Sequence, residues 1–266
     1  MALIHVNFFS EVLGMSSQME VILPQEAQGQ IGAGYVKRQE QYPVLYLLHG
    51  MTDNHTIWCR HTSIERYAAE RGIAVVMPNG HLGWYTDMKY GFSYYTFLTE
   101  ELPKVCERFF PTIGNTRKRR FIAGNSMGGY GAMKAALTSP ELYAGAASLS
   151  GGMDAAACAS ENNGTFYPSL WEDIFGEPEK IKGSRHDLFA LAEQLKQSKK
   201  LPPKFFMWCG TEDFLYDQNV AMKEHLDDLG YDLLYRETKG DHSWAYWDRE
   251  IQNVLDWILK IGKEEV

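Results

Sequence analysis

Six short, mainly apolar runs constrain the fold of this chain more than any other feature of its sequence. They are Val44–Leu48, Ala74–Met77, Arg120–Ala123, Ala146–Leu149, Phe205–Trp208 and Leu233–Tyr235. Continuous apolar runs are typical of parallel strands covered on both faces, with helices in the crossovers. The intervening patterns predict helices over Ser63–Arg71, Tyr94–Phe109, Met127–Thr138, Asn219–Leu229 and Trp244–Ile261. We therefore expect an α/β fold with helices on both faces of a mostly parallel sheet.

Residues 2–23 follow a different, alternating pattern. Apolar residues recur at every second position, first at Ile4, Val6 and Phe8 and then at Met19, Val21 and Leu23, on either side of a turn at Gly14–Ser17. This pattern predicts an antiparallel hairpin at one edge of the sheet, which brings the total to about eight strands. The polar stretch from Gln28 to Gln41 contains three glycines and predicts an exposed loop.

One interval is too long for a simple crossover. Residues 152–203 predict a flap that is inserted within a single domain spanning 1–266, because long connections in compact domains are usually functional. The flap is rich in aromatic and apolar residues: Phe166, Tyr167, Leu170, Trp171 and Phe175.

Charge and composition disfavour several classes of function. The 26 Lys+Arg residues against 34 Asp+Glu give a net charge of −8, and proteins that bind nucleic acid or anionic membranes need a cationic face. We therefore expect the basic run Arg117–Arg120 to be a solvated loop edge or to form salt bridges. With no apolar run near the ~20 residues of a membrane span and no cationic leader, the sequence predicts a cytoplasmic protein.

No metal or cofactor site is predicted. The four cysteines are scattered and form no CxxC pair, so we expect reduced, interior thiols. His55 and His61 have no third ligand at metal-binding spacing, so a solvated face is the favoured interpretation.

The motif Gly124-Asn-Ser-Met-Gly128 lies between a predicted strand and a predicted helix. In a G-x-S-x-G turn of this kind, the serine occupies a sharp corner that only small flanking residues permit. The motif predicts Ser126 as a nucleophile, with the Met127 N–H at the helix start as an oxyanion donor.

A serine nucleophile needs a base and an acid that follow it in the order Ser, Asp or Glu, His. His242 follows the last predicted strand and is the predicted base. Asp213, in the turn after Trp208, is the predicted acid. Placement disfavours four alternative acids, namely Glu212, Asp217, Asp241 and Asp154.

The turn after the first buried strand supplies the remaining donor. His49-Gly-Met51 follows Leu48, and the glycine lets the chain turn so that the Met51 N–H faces Ser126. We interpret His49 as a structural residue that holds this oxyanion loop, although a plain turn is the alternative.

Aromatic residues near predicted loop tips could wall a substrate pocket or belong to the core, and the sequence leaves both alternatives open. The candidates for substrate binding are Trp58, Trp84, Tyr85, Tyr130, Trp171 and Trp244.

Together these motifs resemble the esterase D group of α/β-hydrolases. The resemblance is carried by Tyr46–Gly50, Met77–Gly80, Gly124–Gly131, Gly210–Asp213 and Gly240–Trp244. It is strongest to the tributyrin esterase branch, and it implies a serine carboxylesterase for short acyl or small aromatic acyl esters, including feruloyl esters. The implied triad is Ser126, Asp213 and His242, with Met51 and Met127 as backbone donors.

Other functions fit the same residues. S-formylglutathione hydrolase and acyltransferase are the alternatives on this scaffold. Formylglutathione hydrolases carry a longer, more polar region after Gly80, whereas this chain continues directly into Gly83–Asp87, which argues against glutathione thioesters. A catalytically inactive ligand-binding hydrolase fold is disfavoured because all three triad candidates are present. The expected partner is a small-molecule ester, and self-association is left open.

Overall fold

The computed structural model describes residues 1–25, 29, 31, 39–161 and 169–264. Within them, eight strands form one sheet in the order β1-β2-β4-β3-β5-β6-β7-β8. The strands are β1 Ala2–Ser10, β2 Met15–Leu23, β3 Val44–Leu48, β4 Ala74–Pro78, β5 Arg120–Asn125, β6 Gly145–Leu149, β7 Lys204–Gly210 and β8 Leu233–Thr238. Strands β1 and β2 form an antiparallel hairpin, and β2 pairs antiparallel to β4. Strands β3 to β8 all run parallel to one another.

The helices connect the parallel strands. Their bounds are α1 Ile57–His61, α2 Ile64–Arg71, α3 Tyr94–Thr96, α4 Leu102–Phe109, α5 Met127–Thr138, α6 Ala155–Glu161, α7 Leu170–Phe175, α8 Leu188–Ser198, α9 Tyr216–Asp228 and α10 Trp244–Glu264. No helix among the described residues is long and apolar enough to cross a membrane.

The parallel strands separate two hydrophobic cores. Successive side chains of a strand point to opposite faces, so Tyr46 and Leu48 of β3 enter one core while Leu45 and Leu47 enter the other. Helices α5 and α8 cover the first face. Helix α10 covers the second with the apolar face expected from its sequence, namely Trp247, Ile251, Val254, Leu255 and Ile258. The prediction of helices on both faces is confirmed.

The hairpin turn differs from the prediction. The strands pair from Ala2↔Leu23 to Ser10↔Met15, so the turn spans residues 11–14 rather than 14–17. Gly14 adopts a φ of 64° at its end, a left-handed conformation that suits glycine. Residues 15–17 pair with residues 8–10 of β1 instead, because the antiparallel pairing continues up to the four-residue turn.

Two helices also differ in detail. The predicted helix Tyr94–Phe109 is interrupted by a π-helical turn over Phe97–Glu101. Pro103 follows within the first turn of α4, and a proline has no N–H for the regular i→i−4 bond, which accounts for a widened turn at this point. Helix α9 begins at Tyr216, three residues before the predicted start.

Part of the segment predicted as a flap serves the core. Helix α8 lies within residues 152–203, and its buried face of Leu188, Leu191, Ala192 and Leu195 joins the core that α5 covers. It therefore acts as the crossover helix before β7. Phe166 and Tyr167 lie outside the described residues, as does most of the predicted loop from Gln28 to Gln41. A flap over the active site stays a prediction for the part of the segment before α8.

Candidate active site

Ser126 lies at a sharp corner between β5 and α5. Its φ and ψ of 54° and −119° are strained for a residue with a side chain. Its N–H donates to Leu149 O at 3.0 Å, and its carbonyl accepts from Tyr130 N–H at 3.1 Å. A Cβ on Gly124 would lie 2.5 Å from Gly128 O, so the first glycine of the motif is required by close backbone packing.

Gly128 lets helix α5 approach the end of β3. A Cβ at this position would lie 2.5 Å from Leu48 O and 2.8 Å from His49 O. Because only a glycine fits, the N-terminal turn of α5, with Met127, packs directly against the loop that carries Met51. The start of α5 and the loop after β3 are thus in direct backbone contact, and the assignment of the Met51 and Met127 N–H groups as oxyanion donors stays a prediction.

His49 holds this loop through both ring nitrogens. Gly80 N–H donates to His49 Nε2 at 2.9 Å, which requires the proton to be on Nδ1, and Nδ1 lies 2.8 Å from Gly50 O. Burial lowers the pKa of His49 to about 4, so the ring is neutral near pH 7. These contacts agree with a structural role rather than that of a base.

Asp213 and His242 form a hydrogen-bonded pair at the ends of β7 and β8. His242 Nδ1 lies 2.9 Å from Asp213 Oδ2 and 3.0 Å from Oδ1. The Asp213 side chain is fully buried, whereas that of His242 is 18% exposed. Leu215 N–H also donates to Asp213 Oδ1 at 2.9 Å. With Nδ1 bound by the carboxylate, Nε2 is the ring nitrogen left for a reacting group.

The pKa of Asp213 lies below its ordinary value. Burial acts to raise this pKa, but the hydrogen bond and charge of His242 outweigh it, together with hydrogen bonds from Leu215 and the Ser150 hydroxyl. The carboxylate is therefore ionised near pH 7, as the orientation of an imidazole requires.

The positions of these residues follow from the sheet. Ser126 follows β5, Asp213 follows β7 and His242 follows β8. The oxyanion loop follows β3, which lies next to β5 in the sheet. The carboxyl ends of parallel strands share one edge, so residues that are far apart in sequence lie at one edge of the sheet.

Ser150 and Trp247 support the pair. The sequence places Trp247 on the apolar face of the last helix without a role at the site, and it does not single out Ser150. Ser150 follows β6 with a φ of 51°, and its N–H donates to Trp208 O at 2.8 Å. Trp247 Nε1 donates to Ser150 Oγ at 3.2 Å, and the Trp247 ring lies edge-on to His242 at 4.9 Å. The position of Ser150 after a strand between the nucleophile and acid strands was the available signal.

Phe214 is a second residue missed from the sequence. It directly follows Asp213, and its ring centroid lies 4.5 Å from that of His242. A large apolar residue in the acid-bearing turn was the signal that could have identified it.

A cluster of aromatic rings packs near the corner at Ser126. Trp84 contacts Tyr130 and Trp171 edge-on at 5.2 Å and Phe175 at 5.6 Å. A Cβ on Gly152 would lie 3.0 Å from Trp84, and Gly152 N–H donates to Ser126 O at 3.3 Å. The cluster therefore packs close to the nucleophile candidate and joins it to α7.

Five of the six predicted substrate-binding residues are buried, and two of them, Trp84 and Trp171, each expose 4% of their surface within the aromatic cluster described above. Trp58, Tyr85 and Tyr130 expose 1%, 2% and 0% of their surface. Their polar atoms bind backbone carbonyls: Trp58 Nε1 donates to Leu48 O, Tyr85 Oη to His49 O and Tyr130 Oη to His186 O. For these residues the core-packing alternative describes the structure, and they present no surface to a ligand. Trp244 is partly exposed and stacks edge-on against Trp58 and Trp247.

A buried lysine joins α5 to two loops near the site. Lys134 Nζ donates to Thr86 Oγ1 and lies 3.2 Å from His186 Nδ1. It also lies over the rings of Tyr130 and Tyr95 at 5.6 and 5.8 Å. Burial lowers the pKa of Lys134 to about 7, and burial together with the charge of Lys134 lowers that of His186 to about 3.

The basic run lies away from this edge and makes internal contacts. Arg120 Nη2 pairs with Glu107 at 2.6 Å, and Arg117 and Arg119 donate to backbone carbonyls of Pro140, Pro202 and Gln41. These contacts match the salt-bridge alternative expected from the sequence.

Comparison with known proteins identifies the family. The family model described as "Putative esterase" matches residues 10–258. The chain is 31% identical to an acetyl esterase of Caldicellulosiruptor saccharolyticus over 267 residues, which cover 98% of this chain and 100% of that enzyme.

Two solved structures from Staphylococcus aureus are also similar. One is the substrate-bound fluorophosphonate-binding serine hydrolase FphF, with 34% identity, a TM-score of 0.87 and coverage of 97% of this chain and 98% of that one. The other is the S-formylglutathione hydrolase FrmB, with 34% identity, a TM-score of 0.84 and the same coverage. These likenesses confirm the α/β-hydrolase fold expected from the sequence.

Proposed function

The chain belongs to the esterase family of carboxylic ester hydrolases, and from that premise we propose that it is a serine carboxylesterase acting on short-chain acyl esters. The observation that carries the proposal is the hydrogen-bonded Asp213–His242 pair, at the same sheet edge as a serine held in a strained corner. Strained backbone at such a corner is a common property of nucleophiles in this fold.

The first half of the reaction forms an acyl-enzyme. His242 Nε2 takes the proton of the Ser126 hydroxyl while the serine oxygen attacks the ester carbonyl. The Met51 and Met127 N–H groups donate hydrogen bonds to the carbonyl oxygen as it becomes negative. The imidazolium then gives its proton to the alkoxy oxygen, the bond from that oxygen to the carbonyl carbon breaks, and the alcohol leaves.

The second half releases the acid. His242 Nε2 takes a proton from water, the hydroxide oxygen attacks the acyl carbon, and the proton returns to the Ser126 oxygen as the acid departs. Asp213 stays ionised throughout. It holds the imidazole in the Nδ1–H tautomer and stabilises the imidazolium.

Acetyl and butyryl esters are the proposed substrates, and small aromatic acyl groups such as feruloyl are the second acyl class. The close packing of Trp84 against Gly152 beside Ser126 supports a small acyl group. The acetyl esterase of Caldicellulosiruptor saccharolyticus is a relative over its full length, which supports the same assignment. The similarity to FrmB favours S-formylglutathione as a second candidate substrate. A cytoplasmic location and self-association stay predictions.

Substitution of the nucleophile tests the reaction. We expect Ser126→Ala to lower kcat on p-nitrophenyl acetate by about 10⁴ or more, because the triad acts as a unit. A fluorophosphonate probe should label the native protein and fail to label this variant. Ser16→Ala, at an exposed serine of β2, is the matched control and should keep both properties. If Ser126→Ala kept most of the rate, the proposal would be wrong.

A substrate panel tests the acyl class. We expect kcat/KM for p-nitrophenyl esters to be highest for acetate or butyrate and to fall for longer chains, with measurable turnover of methyl ferulate. S-formylglutathione is assayed beside them under the same conditions. A preference for the thioester by tenfold or more would replace the carboxylesterase assignment with the second candidate.

A further inference from the structure

Phe214 is an exposed aromatic residue in contact with the proposed base. It exposes 72% of its surface, yet its ring is tilted by 48° against His242 with the centroids 4.5 Å apart. Single exposed apolar residues are ordinary on protein surfaces and need no explanation. Phe214 is distinguished by its neighbour, because the imidazole it touches is the group that moves protons in the proposed reaction.

The backbone around Phe214 is held on both sides. Asp213 N–H donates to Gly210 O at 3.1 Å, and the preceding residue, Glu212, donates its N–H to Gly240 O at 2.8 Å. On the other side, Leu215 N–H binds the Asp213 carboxylate at 2.9 Å and its side chain is buried. The ring therefore projects from a fixed turn, and its exposure does not result from a loose loop.

The chemistry of the base places the alcohol near this ring. During acylation, His242 gives its proton to the alkoxy oxygen, so that oxygen must lie within hydrogen-bond reach of Nε2. Nδ1 cannot serve, because it is bound to Asp213. The first few atoms attached to the alkoxy oxygen therefore lie beside the imidazole, within reach of the exposed ring. Trp247 closes another side of the imidazole at 4.9 Å.

We propose that Phe214 determines specificity for the alcohol half of the ester and favours aryl or flat apolar alcohols. Aromatic rings pair favourably with other rings in offset or edge-on arrangements, beyond the area that they bury. The proposal rests on the function proposed above and adds the alcohol preference to it.

The test compares two acetates with the same acyl group. Phenyl acetate carries an aryl alcohol, and the second ester carries a fluorinated alkyl alcohol whose leaving-group pKa is comparable. We expect Phe214→Ala to lower kcat/KM for phenyl acetate by roughly three- to tenfold more than for the alkyl ester. Phe214→Tyr should retain the preference and Phe214→Leu should lose most of it. Both esters form the same acetyl-enzyme, so deacylation proceeds at one rate for both. Because the alcohol has left before this step, the Phe214 variants should not change that rate.

Phe109→Ala is the matched control. Phe109 is an exposed aromatic residue at the end of α4, towards the amino end of β5, and its loss should affect both esters equally and little. All variants change exposed side chains, so their thermal unfolding should stay close to that of the native protein.

Two results would overturn the inference while the proposed function stands. An equal loss for both esters, with a shifted pH profile of kcat/KM, would make Phe214 a positioning residue for His242. Equal rates for all variants would leave it no role in turnover. Absence of turnover of any ester by the native protein would overturn the proposed function, and this inference with it.

Discussion

At the scale of single residues, the backbone conformation of Ser126 costs stability at the position of the proposed nucleophile. A φ of 54° with a side chain present costs on the order of 1–3 kcal/mol and persists only because the surrounding structure enforces it. Here the enforcement comes from the hydrogen bonds of Ser126 to Leu149 and Tyr130 and from the close contact of Gly124 with Gly128.

Replacement of Ser126 by glycine should relieve this strain. We expect Ser126→Gly to be more stable than Ser126→Ala by about 1 kcal/mol in urea unfolding, although both are inactive. Ser160, in helix α6, provides the control pair, because glycine is less favourable than alanine in a helix by about 1 kcal/mol. The same order of stabilities at both positions would contradict the strain assigned to Ser126.

The acid of the pair can be distinguished from its neighbour in sequence. We expect Asp213→Asn to lower kcat by about 10⁴, because an asparagine in contact with Nδ1 favours the wrong imidazole tautomer. Asp241→Asn, beside His242 in sequence but exposed, should keep nearly full activity. Steady-state kinetics on one acetyl ester measures both, and a comparable loss in the two variants would disprove the assignment of Asp213.

At the scale of elements, we expect the contact between α5 and the end of β3 to set the geometry of the proposed oxyanion donors. The contact depends on Gly128, whose Cα faces the carbonyls of Leu48 and His49. His49 stabilises the other side of the same loop through its bond from Gly80 N–H. We therefore expect this contact to keep the two proposed backbone donors close to each other.

A methyl group at Gly128 should separate the two elements. Gly128→Ala places a Cβ 2.5 Å from Leu48 O, so the helix or the loop must move. We expect a folded protein that is less stable by roughly 1–3 kcal/mol and whose kcat falls by at least tenfold. Gly262→Ala, in helix α10 with open space around it, should leave kcat unchanged. A fully active Gly128→Ala variant would show that the contact does not set the donors.

At the scale of the whole molecule, Lys134 connects segments that are distant in sequence. It joins the nucleophile helix α5 to Thr86 in the loop after β4 and to His186 before α8. The charged groups around it are Arg185 and Asp87, and the latter's backbone carbonyl binds Arg185 Nη2 at 3.0 Å. A lysine this deeply buried makes stability depend on pH.

The sign of that dependence follows from its pKa. Folding buries Lys134 and lowers its pKa from the ordinary value of 10.5 to about 7, so between these pH values the unfolded chain binds more protons. The stability contributed by this site therefore rises as pH increases from about 7, by at most about 1.4 kcal/mol per pH unit.

Comparison with Lys134→Met isolates this effect. The difference in unfolding free energy between the native protein and the variant should increase in favour of the native protein from pH 7 to pH 9, measured by urea unfolding. Lys200→Met, at a side chain that is 58% exposed, should show a constant difference over the same range. A constant difference for Lys134→Met as well would contradict the lowered pKa.

Local sequence patterns were enough to predict the strands from Val44 onward, the order of the triad candidates and the sharp corner at Ser126. Apolar periodicity and the steric needs of a G-x-S-x-G turn act within a few residues, so they can be read locally. The N-terminal hairpin was predicted for the same reason, but its turn was misplaced because register depends on the partner strand.

Which aromatic residues lie in the core and which face the site depends on long-range packing. Trp58, Tyr85 and Tyr130 are buried by elements far from them in sequence, while Phe214 is exposed beside His242. The support of Asp213 by Ser150 and the network around Lys134 likewise join residues tens of positions apart. Such contacts depend on how the sheet aligns the ends of its strands, and no local pattern encodes that alignment.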